Sequence, residues 1–482
     1  MGLKIIIVGG SVSGLSLASM LEKFDIDYIV LEGHATVAPQ LGASLGLLPS
    51  GLRILDQLGC YDKIHEMAGN TYYKARMRLF GGHSWVDPKS TTFSEKLEQR
   101  IGYPQIFIDR QAVLQVLYDS LKFKDRIFTN KRVNRIEHGD DCVKVFTQDG
   151  SMYSGDFVIG ADGIHSTVRQ EMWRLSREDK SQLFTSDPIS DLQCESKCIF
   201  GISEYPAAFP EPPVQLNAFF KNSNYMILSA PENRVYWFLF TEVEKVFGKA
   251  IPRYSKEDER NLAERHSHDQ LTENVTFGDL YAARLQATLV SIEDHVFPRW
   301  HYKRILTIGD AAHKLHPISA QGGNGAMETA AVLVNMLLPK LRAKKSAETL
   351  TEDEIDSIFS GVQATRFQRA VDAVNQGRQT NSASIKETIF SRIFVNHFFP
   401  RFGQSLIFSL IVKNTMSGPV VHDLPIPSRH RIALERHERE NPGRSWVLWS
   451  FLSLGAGVLA TLVYSSVSMA WLHHISFPHH SL

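Results

Sequence analysis

The first twenty residues confine the fold more tightly than any other part of the chain. Leu3-Lys4-Ile5-Ile6-Ile7-Val8 is a run rich in β-branched residues that reads as a buried strand. Gly9 and Gly10 break it, and Leu15, Leu17, Ala18 and Leu21 resume at helical spacing. Strand, glycine turn and helix in that order open a βαβ unit. Its helix N-terminus presents unpaired N–H groups and a positive dipole end to a pyrophosphate. Gly9 and Gly14 occupy the first and third positions of G-x-G-x-x-G, and Ser11 stands at the second. The glycines also argue against a signal peptide, and Ile6 fills the Ser/Thr position that N-myristoylation requires. Taken alone, the segment leaves a second reading open, a tight βα turn with no ligand.

The next strand narrows the choice. Asp27-Tyr28-Ile29-Val30-Leu31 ends in Glu32, where a carboxylate accepts hydrogen bonds from adenosine ribose hydroxyls. An acid there argues against a 2′-phosphate, so the site suits FAD or NAD rather than NADP. Leu41-Gly42-Ala43-Ser44-Leu45-Gly46 follows without the repeated βα units of a plain dehydrogenase. Gly46 either admits backbone close to a long cofactor or shapes a turn. Charge bears on the alternatives: among 482 residues, 52 Lys and Arg balance 52 Asp and Glu. A neutral chain is no bulk polyanion binder, so nucleic acid is not expected as a partner. The cysteines, Cys60, Cys142, Cys194 and Cys198, are too few for a disulfide scaffold and predict a reducing compartment. Cys194 and Cys198 lack the second ligand pair of a zinc site, and no metal is expected.

Two more segments have the same strand-to-glycine form. Phe157-Val158-Ile159-Gly160-Ala161-Asp162-Gly163 is followed by His165, Ser166 and Arg169. Arg304-Ile305-Leu306-Thr307-Ile308-Gly309-Asp310-Ala311-Ala312-His313 leads to Pro317, then to Gln321-Gly322-Gly323-Asn324-Gly325 and a helix predicted over 326–338. With the first turn, these GADG and GDAAH segments resemble the FAD-dependent class A monooxygenases, in the family's order. The segments Leu41–Gly46 and Arg53–Gly59, with the uncharged tail, are similar to a fungal subgroup of that family. These are the FAD-dependent epoxidases and hydroxylases of meroterpenoid and indole-diterpene pathways.

The resemblance implies an α/β fold: a Rossmann-like FAD-binding domain with an inserted antiparallel β-sheet substrate domain. It implies FAD as cofactor and NAD(P)H as co-substrate, with O₂ activated as a flavin C4a-hydroperoxide that epoxidises or hydroxylates a hydrophobic prenylated or terpenoid substrate. An aromatic-ring hydroxylase of the same class and a non-catalytic, membrane-tethered flavin-binding protein are the alternatives. By the same resemblance, Gly9, Gly14, Glu32, Gly46, Arg110, Asp162, Asp310 and Gly323 bind the cofactor. Arg110 is otherwise a surface helix arginine. His313 belongs to the GDAAH segment and is not read as a metal ligand with His316. Residues 1–180 and 301–375 are assigned to the FAD domain and 181–300 to the substrate sheet, with strands over 197–202, 214–220, 225–229 and 235–240. Tyr225 is the candidate proton-handling or substrate-orienting hydroxyl, the alternative being a buried tyrosine with a satisfied OH.

Residues 376–444 are expected to be helical. From Ser445 to Leu472 there is no Asp, Glu, Lys or Arg, long enough to cross a ~30 Å hydrocarbon core. Arg429, Arg431, Arg436, Arg439 and Arg444 lie upstream. The expectation is a C-terminal transmembrane helix over 445–472, making the membrane a partner, with the catalytic body facing the cytosol. Phe398 to Val412 either lies on a bilayer or packs as core.

Overall fold

The computed structural model describes residues 3–39, 44–82, 84–86, 92–139, 141–181, 183–184, 187, 189–344, 349–386 and 388–429. The described residues lie within one compact unit, Met1–His430. At the centre lies a six-stranded sheet, ordered His301–Tyr302, Ile305–Thr307, Phe157–Gly160, Lys4–Val8, Asp27–Leu31, Ile127–Phe128. All neighbours are parallel except the first pair. Parallel strands covered on both faces are continuously apolar. Accordingly Ile5, Ile6 and Ile7 are fully buried, Ile5 and Ile7 in one cluster and Ile6 in another. From Lys4–Val8 the chain runs to Asp27–Leu31 on one side and later to Phe157–Gly160 on the other. The strand order therefore reverses at Lys4–Val8, where open α/β sheets bind ligands outside their carboxyl ends.

Every residue of helix Val12–Glu22 is buried, because it lies between this sheet and helix Gly322–Ala343. The predicted helix after the glycine-rich loop begins four residues earlier than the apolar run suggests, within the glycines themselves. Helix Glu352–Ile385 packs behind it, opened by a capping box in which Thr351 and Glu354 bond each other's backbone N–H.

The second large sheet has eight strands, ordered His313–Lys314, Arg284–Val296, Gln193–Glu204, Arg234–Phe247, Ser223–Ala230, Val214–Phe220, Lys74–Arg78, Ser84–Val86. The four strands expected in the middle of the chain are all present and are longer or equal. Lys74–Arg78, from outside residues 181–300, joins by parallel pairing with Val214–Phe220. Both faces are apolar. Val235, Trp237 and Leu239 pack with helices Lys256–Arg265 and Phe277–Ala282. Tyr236, Phe238 and Phe240 face the opposite way, into a cluster with Tyr73, Phe107 and Ile385, against which Phe200, Met226 and Ile318 are half-buried.

The expected single-pass membrane topology is corrected here. Among the described residues no helix is long and apolar enough to cross a membrane, and the 445–472 stretch lies outside them. The longest described helix, Glu352–Ile385, carries acids, arginines and glutamines along its length and cannot serve as a span. The 398–412 stretch forms a π-helical turn, Phe394–Gly403, running into helix Gln404–Met416. Val395 packs there against Phe80 and Phe219, while Phe398, Phe402, Leu406 and Ile407 are exposed.

A prediction concerns the cross-strand pair Gly201 and Trp237. A Cβ at Gly201 would lie 1.9 Å from Trp237 Cζ2, and the indole is pinned by Nε1 donating to Ser203 Oγ at 2.7 Å. Gly201→Ala therefore overpacks the sheet and costs about 1–3 kcal/mol, read as a lower urea midpoint. An unchanged midpoint contradicts this packing.

Candidate functional site: a cradle at the carboxyl ends of the parallel strands

Successive strands of the central sheet deliver their motifs to one edge. Gly9 follows the first strand with φ +106°, and a Cβ there would stand 2.4 Å from the carbonyl oxygen of Ala161. Gly14 lies beneath it, where a Cβ would be 1.9 Å from Gly9 O. Gly309 has φ +59°, and its Cβ would meet Ser13 Oγ at 2.2 Å. Gly9 and Gly309 hold a positive φ that favours glycine, and none of the three positions has room for a Cβ, so the first turn packs directly on the Ala161 backbone and Ser13 packs directly on Gly309. The turns are further tied by Ala161 N–H donating to Val8 O at 2.7 Å and Ile308 N–H to Gly160 O at 2.8 Å.

Charged groups line this edge. Glu32 accepts from the Gly10 N–H at 2.6 Å through Oε2 and from the His34 N–H at 2.7 Å through Oε1, which fixes the carboxylate beside the glycine turn. Arg110, first residue of helix Arg110–Ser120, donates to Ser11 Oγ at 2.7 Å. It is not a surface arginine. Burial pulls its pKa down, and the carboxylates of Asp310 and then Glu32 oppose that pull. Asp310 pairs with Lys314 Nζ at 2.6 Å and stays one-third exposed. Glu32, Arg110 and Asp310, widely separated in sequence, thus share one electrostatic neighbourhood.

Asp162 has an inward task. Its Oδ1 accepts from Ser166 Oγ at 2.5 Å and its Oδ2 from the Val168 N–H at 3.1 Å, holding the start of helix Thr167–Glu178. Burial raises its pKa against those hydrogen bonds. Arg169 is fully buried, donates to Ala311 O at 2.8 Å and Ile164 O at 2.5 Å, and lies 3.8 Å above the Phe297 ring. It ties the GADG segment to the GDAAH segment.

The far end of the cradle is the first turn of helix Gly322–Ala343. Its cap residue Gln321 supplies no side-chain acceptor, leaving the first N–H groups and the positive dipole end available. An added Cβ at Gly322 has nothing within 4 Å, whereas at Gly323 it would approach Leu45 Cδ1 at 3.2 Å. Leu45 and Gly46 lie on strand Ser44–Leu47, paired with Ile106–Asp109. A Cβ at Gly46 would press to 2.6 Å on Ala320 Cβ, so this glycine serves close packing. Asn324 joins the two pieces: its Oδ1 accepts from the Leu48 N–H at 3.0 Å, and its Nδ2 donates to Gly46 O at 3.0 Å and Ala320 O at 2.6 Å. Ser11 and Asn324 were visible only as spacers within glycine motifs.

Tyr225 is not brought to this edge. It points to the helix-covered face of the large sheet, against Phe220 and Phe277, and donates to Asp269 Oδ2 at 2.6 Å. Burial, then Asp269, raises its pKa. This is the buried tyrosine with a satisfied OH. His316 is buried beside the cradle, with Nε2 at 3.3 Å from Ser196 Oγ, and burial lowers its pKa to about 3.

A turn without room for Cβ atoms, a carboxylate fixed beside it, a half-buried arginine and an uncapped helix start together fit FAD in chemistry and in order. Residues 2–357 match the FAD-binding domain family. The chain belongs to it. Among its relatives, the FAD-dependent monooxygenase olcE of Penicillium canescens is 35% identical over 430 residues, covering 88% of this chain and 90% of that protein. The FAD-dependent monooxygenase spyC of Aspergillus fumigatus is 33% identical over 471 residues, covering 97% and 96%. In fold, the chain is similar to a variant HpxO of Klebsiella pneumoniae complexed with FAD, with TM-score 0.67, 22% identity, and 86% and 99% of the two chains covered.

The glycine contacts generate a prediction. Gly14→Ala places a methyl on the backbone carbonyl of Gly9, which must move, so the purified protein is expected to lose its flavin absorbance. A variant that keeps full flavin occupancy contradicts the contact.

Proposed function

We propose that this FAD-dependent monooxygenase uses NAD(P)H and O₂ to epoxidise or hydroxylate a prenylated, hydrophobic secondary-metabolite intermediate of meroterpenoid or indole-diterpene type. The observation that carries the reading is the convergence of Glu32, Arg110 and Asp310 on the edge formed by Gly9, Ala161 and Gly309. The names of the fungal relatives support the reaction class.

Bound FAD supplies the redox chemistry by which electrons from a nicotinamide activate O₂. The rest of the task falls to the chain. Glu32 holds the adenosine ribose, Arg110 offsets pyrophosphate charge and Asp310 accepts from the ribityl hydroxyls. The start of helix Gly322–Ala343 favours negative charge on the isoalloxazine. We assign substrate binding to the sheet face bearing Tyr236, Phe238 and Phe240, because it carries half-buried Phe200, Met226 and Ile318 and adjoins the Pro317–Ser319 turn before the glycine loop. An apolar wall there excludes water and positions an alkene, and oxygen transfer to an alkene needs no protein nucleophile.

Two outcomes test this reading. Asp310→Ala and Glu32→Ala should each bind FAD about 10- to 100-fold more weakly, the equivalent of a lost charged hydrogen bond of about 1.5–3 kcal/mol. Unchanged affinity in both overturns the site. Incubated with ¹⁸O₂, NAD(P)H and a panel of prenylated aromatics, the wild type should yield a product carrying one ¹⁸O atom at a former alkene carbon. Label confined to an aromatic ring carbon points instead to a ring hydroxylase.

A further inference from the structure

The flavin-facing helix is held from behind by a buried charge cluster that no motif announces. Glu328 lies on helix Gly322–Ala343 and is 3% exposed. Arg366, on helix Glu352–Ile385 and 2% exposed, donates through Nη1 to Glu328 Oε2 at 2.6 Å. Its Nη2 reaches the carbonyl oxygen of Gly325 at 3.2 Å and its Nε reaches Thr329 Oγ1 at 3.2 Å. Arg369 grips the same acid, Nε to Oε2 and Nη2 to Oε1, both at 2.7 Å. Thr329 Oγ1 donates to Gly325 O at 2.9 Å and meets His313 Nε2 at 2.9 Å. The GDAAH segment, the glycine turn and the long helix are thereby joined in one hydrogen-bonded set.

Two guanidiniums around one carboxylate leave one positive charge in excess, set under the first turns of the helix. Taking such groups out of water is costly, and apolar side chains of similar volume often serve stability as well or better. Stability therefore gives no reason for an arginine to be buried at this point. The placement does: Arg366 is bonded to the last glycine of the 322–325 turn, and its charge has the same sign as the dipole end that turn carries.

We propose that Arg366 is a positioning residue for FAD, holding the Gly322–Gly325 turn in place and adding positive potential where the flavin is reduced. Glu328 orients the guanidinium and moderates its charge. The inference rests on the assignment of this turn to the flavin, so the test includes a variant that separates the two.

Full-length wild type, R366K, R366M, E328Q and D310A are compared by three measurements: FAD affinity by fluorescence titration, midpoint potential of the bound flavin by dye-coupled reduction, and thermal midpoint of the apoprotein. R366M should bind FAD at least about tenfold more weakly and hold it at a more negative potential. R366K, which keeps the charge but not the fork, should lie nearer wild type in potential than in affinity. E328Q, which removes the opposing charge, should shift the potential positive, and it decides the case if R366M does not fold. Lower thermal midpoints with wild-type affinity and potential in these variants overturn the inference. If D310A binds FAD as tightly as wild type, the placement of the flavin against Asp310 and this turn fails instead. If D310A loses FAD while R366M and E328Q match wild type, only the inference fails.

Discussion

The close packing at Gly9, Gly14 and Gly309, which leaves no room for a Cβ, is the constraint on which the rest of the molecule depends. A Cβ at any of them would overlap a neighbouring oxygen at 2.4 Å or less. Because the segments touch there, helix Val12–Glu22 sits close on its strand, and Asp310 reaches the neighbourhood of Glu32 and Arg110. Side chains then lock what the glycines permit. Arg169 bonds the GADG and GDAAH segments together, and Asn324 bonds the glycine turn to strand Ser44–Leu47.

A second constraint joins the eight-stranded sheet to the two-stranded sheet formed by Ser44–Leu47 and Ile106–Asp109. Asp109 ends the strand that precedes Arg110, and its Oδ2 accepts from Arg234 Nη2 at 2.7 Å. Arg234 opens the long strand that also carries Tyr236, Phe238 and Phe240. The ion pair thus registers the apolar sheet face against the arginine of the cradle, and residues 74–78 add a strand to that sheet's far side. The face proposed for the substrate and the cradle proposed for the cofactor are thus linked by one ion pair.

Much of this was legible in the sequence, for a physical reason. Glycine turns after β-branched runs are local signals, and Glu32 and Asp310 sit at offsets from them that only a strand-end site explains. The rest depended on pairing partners far away. Tyr225 and Tyr236 both lie in apolar strands, and alternation separates two faces without saying which one helices Lys256–Arg265 and Phe277–Ala282 will cover. Asp162 was legible as part of a motif, but its bonds to Ser166 and Val168 turn it towards its own helix. Arg366 lies in an ordinary helical stretch, and only the packing of two helices brings it to Gly325. The uncharged tail suggested a membrane span by composition, but among the described residues no helix is long and apolar enough to cross a membrane, and the tail lies outside them.

The central claim is that three glycine turns from distant parts of the chain build one FAD site at the carboxyl edge of the parallel sheet. A crystal structure of the protein purified with FAD tests it most directly. The adenosine ribose is expected on Glu32, the pyrophosphate over the Gly9–Gly14 turn beside Arg110, the ribityl chain at Asp310 and the isoalloxazine at the start of helix Gly322–Ala343. FAD bound away from that edge, or with its ribose out of reach of Glu32 and its ribityl chain out of reach of Asp310, would contradict it.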